Sequence, residues 1–265
     1  MRRASGPVLA AALAATLTVV IPTARPGWAA DPATPPAPPV RVAAPAATPS
    51  KGADSTALAA APKGVRYVVL VRHGQYDRAD SIDSRIGNAL NALGHEQARL
   101  LGRRLAGLPV KPRILVSSDY TRARETADDI GAILGMTAAR DTLIQECYAA
   151  TWRPEMDREH DPAEIALCDS KLAAAWEKYF VPSPDADMHD ILVCHGNVIR
   201  WFVSRALGCD TRRWLAMDIG NASLTVVAVR ADGTARLVLY SDVGHLPVAK
   251  QTWAGRGAGW GTPAR

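Results

Sequence analysis

Two apolar runs in this chain end in a charged triplet built on histidine. Tyr67-Val68-Val69-Leu70-Val71 leads into Arg72-His73-Gly74, and Ile191-Leu192-Val193-Cys194 leads into His195-Gly196-Asn197. An unbroken β-branched run, without polar alternation, suits a strand covered on both faces, as in a parallel sheet between helices. The charged triplets then fall where such strands leave the core. This narrows the architectures to those in which chemistry sits at one edge of a buried sheet.

The segments between fit that frame. The spacing predicts a helix over 91–108, capped by Asn91, with Ala98, Leu101, Leu105 and Leu108 on one face. Ile114-Leu115-Val116 predicts a short strand, and Thr121–Leu134 a helix with Ala123, Ala127, Ile130 and Leu134 inward. A short strand is expected at 138–144, and residues 142–162 read as a long loop. Residues 163–180 predict a helix packed through Leu167, Leu172, Ala175 and Trp176, and Val198–Leu207 another. Ser223–Val229 and Ala235–Tyr240 flank Ala231-Asp232-Gly233, a hairpin signal. Strands alternating with helices predict a three-layer α/β/α domain over 63–253, with a mostly parallel central sheet and an antiparallel edge.

The ends read differently. Arg2-Arg3, the uncharged run at 7–21 and a polar stretch with small residues follow the layout of a secretory signal over 1–30, cleaved after Ala29 or Ala30 or kept as an N-terminal anchor. The expectation is therefore an exported protein, periplasmic or secreted, that meets a membrane only if the leader stays on. Eight of the 32 residues in 31–62 are proline, most others are Ala, Thr or Ser, and no apolar period is present, which predicts an extended, disordered tether. The Gly-rich stretch 254–265 reads as a flexible tail. The chain holds 31 basic and 26 acidic groups, but Arg2, Arg3 and Arg25 lie in the acid-free leader, and without them the balance is 28 to 26. A nucleic-acid partner loses its electrostatic support. Cys147, Cys168, Cys194 and Cys209 form no C-x-x-C pair, which speaks against structural zinc. Cys147 and Cys168 flank the loop region and are either bridged or two unpaired thiols; Cys194, inside a buried strand, is expected to be unpaired.

The candidate chemistry gathers at three strand ends: Arg72-His73-Gly74, Ser117-Ser118-Asp119-Tyr120-Thr121-Arg122 and His195-Gly196-Asn197. At the second and third a helix starts at once, offering free N–H groups and partial positive charge to an anion. His73 is the candidate nucleophile, able to attack phosphorus through an imidazole nitrogen. Arg72 and Arg122 can hold the equatorial oxygens as planar forks, and His195 can add a hydrogen bond. Gly74 and Gly196 leave room for close backbone approach. Ser118 reads equally as a helix cap or a phosphate ligand, and Asn197 as a cap or a substrate contact. Glu146 is the candidate general acid, and later base, with Asp77 and Glu159 as competitors. His95, His160 and His189 read as surface or packing residues, His245 as a loop residue. The arginines supply the positive charge, so the reading calls for no metal and no other cofactor.

Taken in order, R-H-G after a strand, S-S-x-x-x-R-A-x-x-T-A, Leu93-Gly94-His95-Glu96-Gln97-Ala98 and strand-H-G-N-helix resemble the histidine phosphatase superfamily, the phosphoglycerate-mutase-like proteins, from about Lys63 to Trp253. The resemblance implies a phosphohistidine intermediate on His73, a phosphate pocket of Arg72, Arg122 and His195, and, by a looser match, Glu146 as proton donor. Arg72-His73-Gly74-Gln75-Tyr76, Cys194-His195-Gly196-Asn197-Val198-Ile199-Arg200, Asn221-Ala222-Ser223-Leu224-Thr225 and Asp242-Val243-Gly244-His245-Leu246-Pro247 are most similar to the mitochondrial Ser/Thr protein phosphatase branch of that family. That implies a phosphatase of phosphomonoesters, on small molecules or phosphoproteins. A phosphoglycerate-type mutase, or a weakly catalytic domain that binds phosphate or a protein, are the alternatives. The sequence sets no oligomeric state.

Overall fold

The computed structural model describes residues 64–78, 83 and 86–253. The leader, the tether and the tail expected at 1–62 and 254–265 lie outside the described residues. The first strand, β1 (Arg66–Arg72), is followed by helix α1 (Ala92–Ala106), strand β2 (Ile114–Ser117), helix α2 (Thr121–Leu134) and a two-residue strand β3 (Ala139–Arg140). A short helix α3 (Pro154–Asp157) and a long one, α4 (Pro162–Tyr179), lead to β4 (Met188–Cys194) and α5 (Gly196–Ala206). The hairpin β5 (Leu224–Val229) and β6 (Ala235–Asp242) completes the sheet.

Sheet order is β3-β2-β4-β1-β5-β6. The pairs β1/β4, β2/β4 and β2/β3 are parallel, while β5 runs antiparallel to both β1 and β6. This is the expected mostly parallel sheet with an antiparallel edge. Alternate residues of the apolar strands face opposite layers. Val68, Leu70, Leu192 and Cys194 pack with Leu172 and Ala175 of α4 and Ile199 and Phe202 of α5. Val69, Val71, Ile191 and Val193 pack with Leu101 and Leu105 of α1 and Ala127 and Ile130 of α2. The unbroken apolar runs are explained by this double cover.

Local chemistry sets the helix ends. Asn91 caps α1 by accepting the Gly94 N–H at 2.9 Å. Gly135, at φ 68°, closes α2 in the left-handed region and donates its N–H to the Gly131 carbonyl. Three expectations need correction. The strand expected at 138–144 is paired only at Ala139–Arg140. A 3₁₀ turn, Thr142–Ile144, follows it, because Asp141 accepts the Leu143 N–H and starts a turn. Residues 142–162 are thus a loop carrying two short helical pieces. Leu108 lies beyond the end of α1 and is 44% exposed, and Leu167 on α4 is 57% exposed, so neither packs into the core.

Candidate active site

The parallel strands place three carboxyl ends side by side, with β4 between β2 and β1. The ladder continues one residue past the strands: His73 N–H donates to Cys194 O at 3.0 Å, and Ser118 N–H to Val193 O at 2.9 Å. His195 therefore emerges between Ser118 and His73. Its Nε2 and the Ser118 hydroxyl are 2.8 Å apart, and its ring centroid is 5.2 Å from that of His73.

His73 is almost wholly buried. Its Nδ1 lies 2.8 Å from the Gly74 carbonyl, which can only accept, so Nδ1 carries the proton. Nε2 then keeps its lone pair, and Arg122 Nε–H donates to it at 3.2 Å. Burial drives the imidazole well below its ordinary 6.5, Arg72 and Arg122 push the same way, and the Gly74 carbonyl opposes them. The ring is neutral at neutral pH, the form a nucleophile requires. His195 is also held neutral, by burial first, then by the neighbouring His73 ring and by Arg122 and Arg72.

Arg72 donates from Nη1 to the Ile219 carbonyl at 2.7 Å, and burial lowers its pKa to about 10, so it stays cationic. Arg122 sits 5.0 Å from the ring centroids of both Tyr76 and Tyr120. Arg72 Nε and His195 Nδ1 are buried with no hydrogen-bond partner among the described residues. Unmet buried donors of this kind cost about 1–3 kcal/mol each, and an anion within reach of them offsets that cost.

Glu146 follows the 3₁₀ turn and is partly buried. Its Oε1 accepts the Asn197 N–H at 3.3 Å, at the start of α5. Burial raises its pKa above 4.5, against the pull of Arg122, Arg72 and Arg200. The structure thus brings His73, Arg72, Arg122, His195 and Glu146 into one electrostatic cluster. Of the competing acids, Asp77 is exposed and accepts from Asn91 Nδ2, and Glu159 is exposed.

The other sequence candidates take supporting places. Ser118 joins His195 to the turn before α2, since its Oγ also accepts the Tyr120 N–H at 3.3 Å. Asn197 uses its amide side chain on Cys147 O at 3.0 Å and on Arg200 at 2.6 Å, tying the Glu146 loop to α5. Gly74 is glycine because α1 approaches it: a Cβ there would lie 2.5 Å from Gly94 O. Gly196 is less confined, with Ile219 and Arg72 at 3.2 and 3.4 Å from such a Cβ. Among the candidates left aside, His95 pairs with Asp129, His160 stacks on Tyr148 and His189 stacks on Tyr67.

The sequence motifs contain Tyr76, Tyr120, Thr126, Arg200 and Asn221, but sequence reasoning gave none of them a role. Tyr76 and Tyr120 wall Arg122, Thr126 Oγ1 accepts the Gly74 N–H, and Asn221 Nδ2 donates to His73 O at 3.3 Å. Arg200, three residues after Asn197 on α5, had a readable signal: a cation one helical turn from the histidine triplet. The role of Asn221 was not readable, because only the β1/β5 pairing brings it beside His73.

A family model described as histidine phosphatase superfamily (branch 1) matches residues 68–179 and 173–243. The mitochondrial serine/threonine-protein phosphatase PGAM5 of Xenopus tropicalis is 35% identical over 196 residues, 71% of this chain and 69% of that protein. The human protein of the same name is 33% identical over 202 residues, 72% of this chain and 67% of that one. The solved alpha-ribazole phosphatase of Shigella flexneri aligns with a TM-score of 0.51 at 15% identity, covering 67% of this chain and 96% of that one. At that identity the likeness is one of fold. These relatives correct one expectation. They are named as mitochondrial, which points away from an exported, periplasmic or secreted protein. The export reading rested on the composition of residues 1–30 alone, which lie outside both the described and the matched residues. From the matched residues and the shared fold, the chain belongs to the histidine phosphatase superfamily.

Proposed function

We propose that the chain hydrolyses phosphomonoesters without a metal, through a phosphohistidine on His73. Family membership and the phosphatase relatives support phosphatase activity. The observation that carries the finer reading is the fixed tautomer of a buried, neutral His73 with Arg122 against its free nitrogen. The relatives' names favour phosphoserine or phosphothreonine in a protein as substrate, with small phosphoesters as the other class.

The incoming phosphoryl group takes over the Arg122 Nε–H, which frees the Nε2 lone pair. Nε2 attacks phosphorus as the bond to the ester oxygen breaks. Arg72, Arg122 and His195 donate to the equatorial oxygens, whose charge shifts in the transition state. Glu146, protonated beside the dianion, gives its proton to the leaving alkoxide. Its carboxylate then takes a proton from water as that water attacks phosphorus. The P–N electron pair returns to Nε2, and inorganic phosphate leaves. The arginines provide the charge that a metal would otherwise supply.

The test is phosphate release from p-nitrophenyl phosphate, a phosphoserine peptide and 3-phosphoglycerate in excess EDTA. Release under chelation is expected. Phosphoryl transfer between phosphoglycerates without net release would make the chain a mutase, and binding without turnover a binding domain. Activity lost on chelation and restored by a divalent ion would overturn the metal-free reading.

A further inference from the structure

The residue after the proposed acid is cross-linked. Cys147 Sγ is bonded to Cys168 of α4, across a sequence separation of 21. The residue before it is held as well. Gln145 accepts from Lys171 Nζ at 3.1 Å and donates to Asp119 at 2.9 Å. Cys168 and Lys171 are three apart on α4, so they share one face of that helix. Glu146 is therefore bracketed by two attachments to a single helix face, one covalent and one a hydrogen bond. Its own carboxylate is held by one long contact, the 3.3 Å N–H of Asn197. The segment Gln145–Thr151 has no regular secondary structure, and its other ties are hydrogen bonds, from Asn197 Nδ2 to Cys147 O and from Trp214 Nε1 to the Ala149 and Ala150 carbonyls. Cys168 is buried, whereas Cys147 is partly exposed. Both line the same cavity of about 290 Å³ as Glu146 and Tyr120.

We infer that the Cys147–Cys168 bridge is a positioning device for Glu146, and that it makes the proton-donation step sensitive to thiol reductants. The inference rests on the proposed role of Glu146. A dithiol reductant delivers two electrons and two protons to the S–S bond. Cys147 and Cys168 become thiols, and the dithiol leaves as its own disulfide. The loop then keeps only its hydrogen bonds, and the carboxyl samples positions away from the leaving oxygen. His73, Arg72, Arg122 and His195 stand on strand ends and helix starts that the bridge does not touch. Reduction should therefore damage the proton transfers of Glu146 and spare the attack of His73. A substrate whose leaving group departs as a stable anion needs no acid, whereas an alkyl phosphate does.

The experiment compares p-nitrophenyl phosphate with a phosphoserine peptide, for the wild type oxidised, reduced by a dithiol and reoxidised. Glu146→Gln and the double variant Cys147→Ser with Cys168→Ser are measured beside it. Reduction should lower kcat/KM, which reads only the steps through phosphorylation of His73, about tenfold on the peptide and less than about twofold on the aryl ester, with reoxidation restoring it. The double variant should show the reduced pattern under all conditions, although Cys209 stays exposed in it. Glu146→Gln should not respond further to reduction. If Glu146→Gln discriminates between the substrates but reduction does not, or slows both alike, the positioning role is wrong and the acid stands. If Glu146→Gln affects both substrates equally, the acid assignment falls and the inference with it. If the double variant does not fold, the reversible redox cycle of the wild type decides alone.

Discussion

In the proposed reaction His73 is set up as a nucleophile by two hydrogen bonds of opposite sense, one given to Gly74 O and one received from Arg122. The lowered pKa of His73 has a direct kinetic sign. The protonated ring cannot attack, so the acid limb of kcat/KM should lie below pH 6.5, not at it. As the proposed acid, Glu146 works in the opposite sense, because it must hold a proton in order to give one. Its pKa is raised above 4.5 by burial, so activity on alkyl phosphates should fall as pH rises through that raised value. Glu146→Gln should therefore lower kcat/KM on a phosphoserine peptide by about 10²–10⁴-fold and remove its alkaline limb, while kcat/KM on p-nitrophenyl phosphate changes little. Equal small effects on both would place the acid elsewhere. A second residue-scale test concerns Gly74. A Cβ there meets the Gly94 backbone at 2.5 Å, so Gly74→Ala should cost about 1–3 kcal/mol of stability by overpacking. An unchanged denaturant midpoint would show that α1 can move aside.

At the scale of elements, most of the frame was legible because strand and helix periods were strong. The apolar runs of β1 and β4 have no polar interruption, and the two layers that cover them account for that. Helix α2 begins and ends where its residues predict, since Gly135 supplies the left-handed stop. The failures have local causes. Leu167 follows the helical period of α4 but falls on its solvent side, because one apolar residue cannot fix the facing of a helix. The strand expected at 138–144 breaks at Asp141, whose side chain offers the backbone a turn. Asn221 and Thr126 reach the His73–Gly74 turn through long-range pairing, to which one sequence gives no direct pointer. The Cys147–Cys168 alternative could not be settled from spacing, since the distance between the loop and α4 is a tertiary quantity. Closing a loop of that length by a bridge contributes about 3 kcal/mol. Replacing both cysteines by serine should thus lower Tm by about 5–10 °C. A Tm unchanged to within about a degree would mean that the bridge constrains nothing in the unfolded chain.

For the molecule as a whole, the buried histidines of the proposed site tax stability in acid. His73 and His195 are neutral in the fold, with pKa values well below 6.5, and His245 is lowered to about 4 by burial and Arg104. Below pH 6.5 the unfolded chain binds protons that the folded chain refuses. The contribution of these residues is fully present above pH 6.5 and is lost as pH falls toward the folded values. Each fully buried histidine contributes a slope of about 1 kcal/mol per pH unit in that window. The raised pKa of Glu146 acts with the other sign, costing stability as pH rises through it. Denaturation midpoints should therefore fall between pH 7 and 5, and His195→Asn should flatten that fall; an equally steep profile in the variant would contradict the buried neutral state. The central claim, turnover through a covalent His73, has a more direct test. Wild-type protein mixed with a ³²P-labelled phosphoester and quenched in base should carry alkali-stable, acid-labile label on the peptide containing His73, and His73→Ala should carry none and release no phosphate. Label on another residue, or near-wild-type turnover by His73→Ala, would contradict the account.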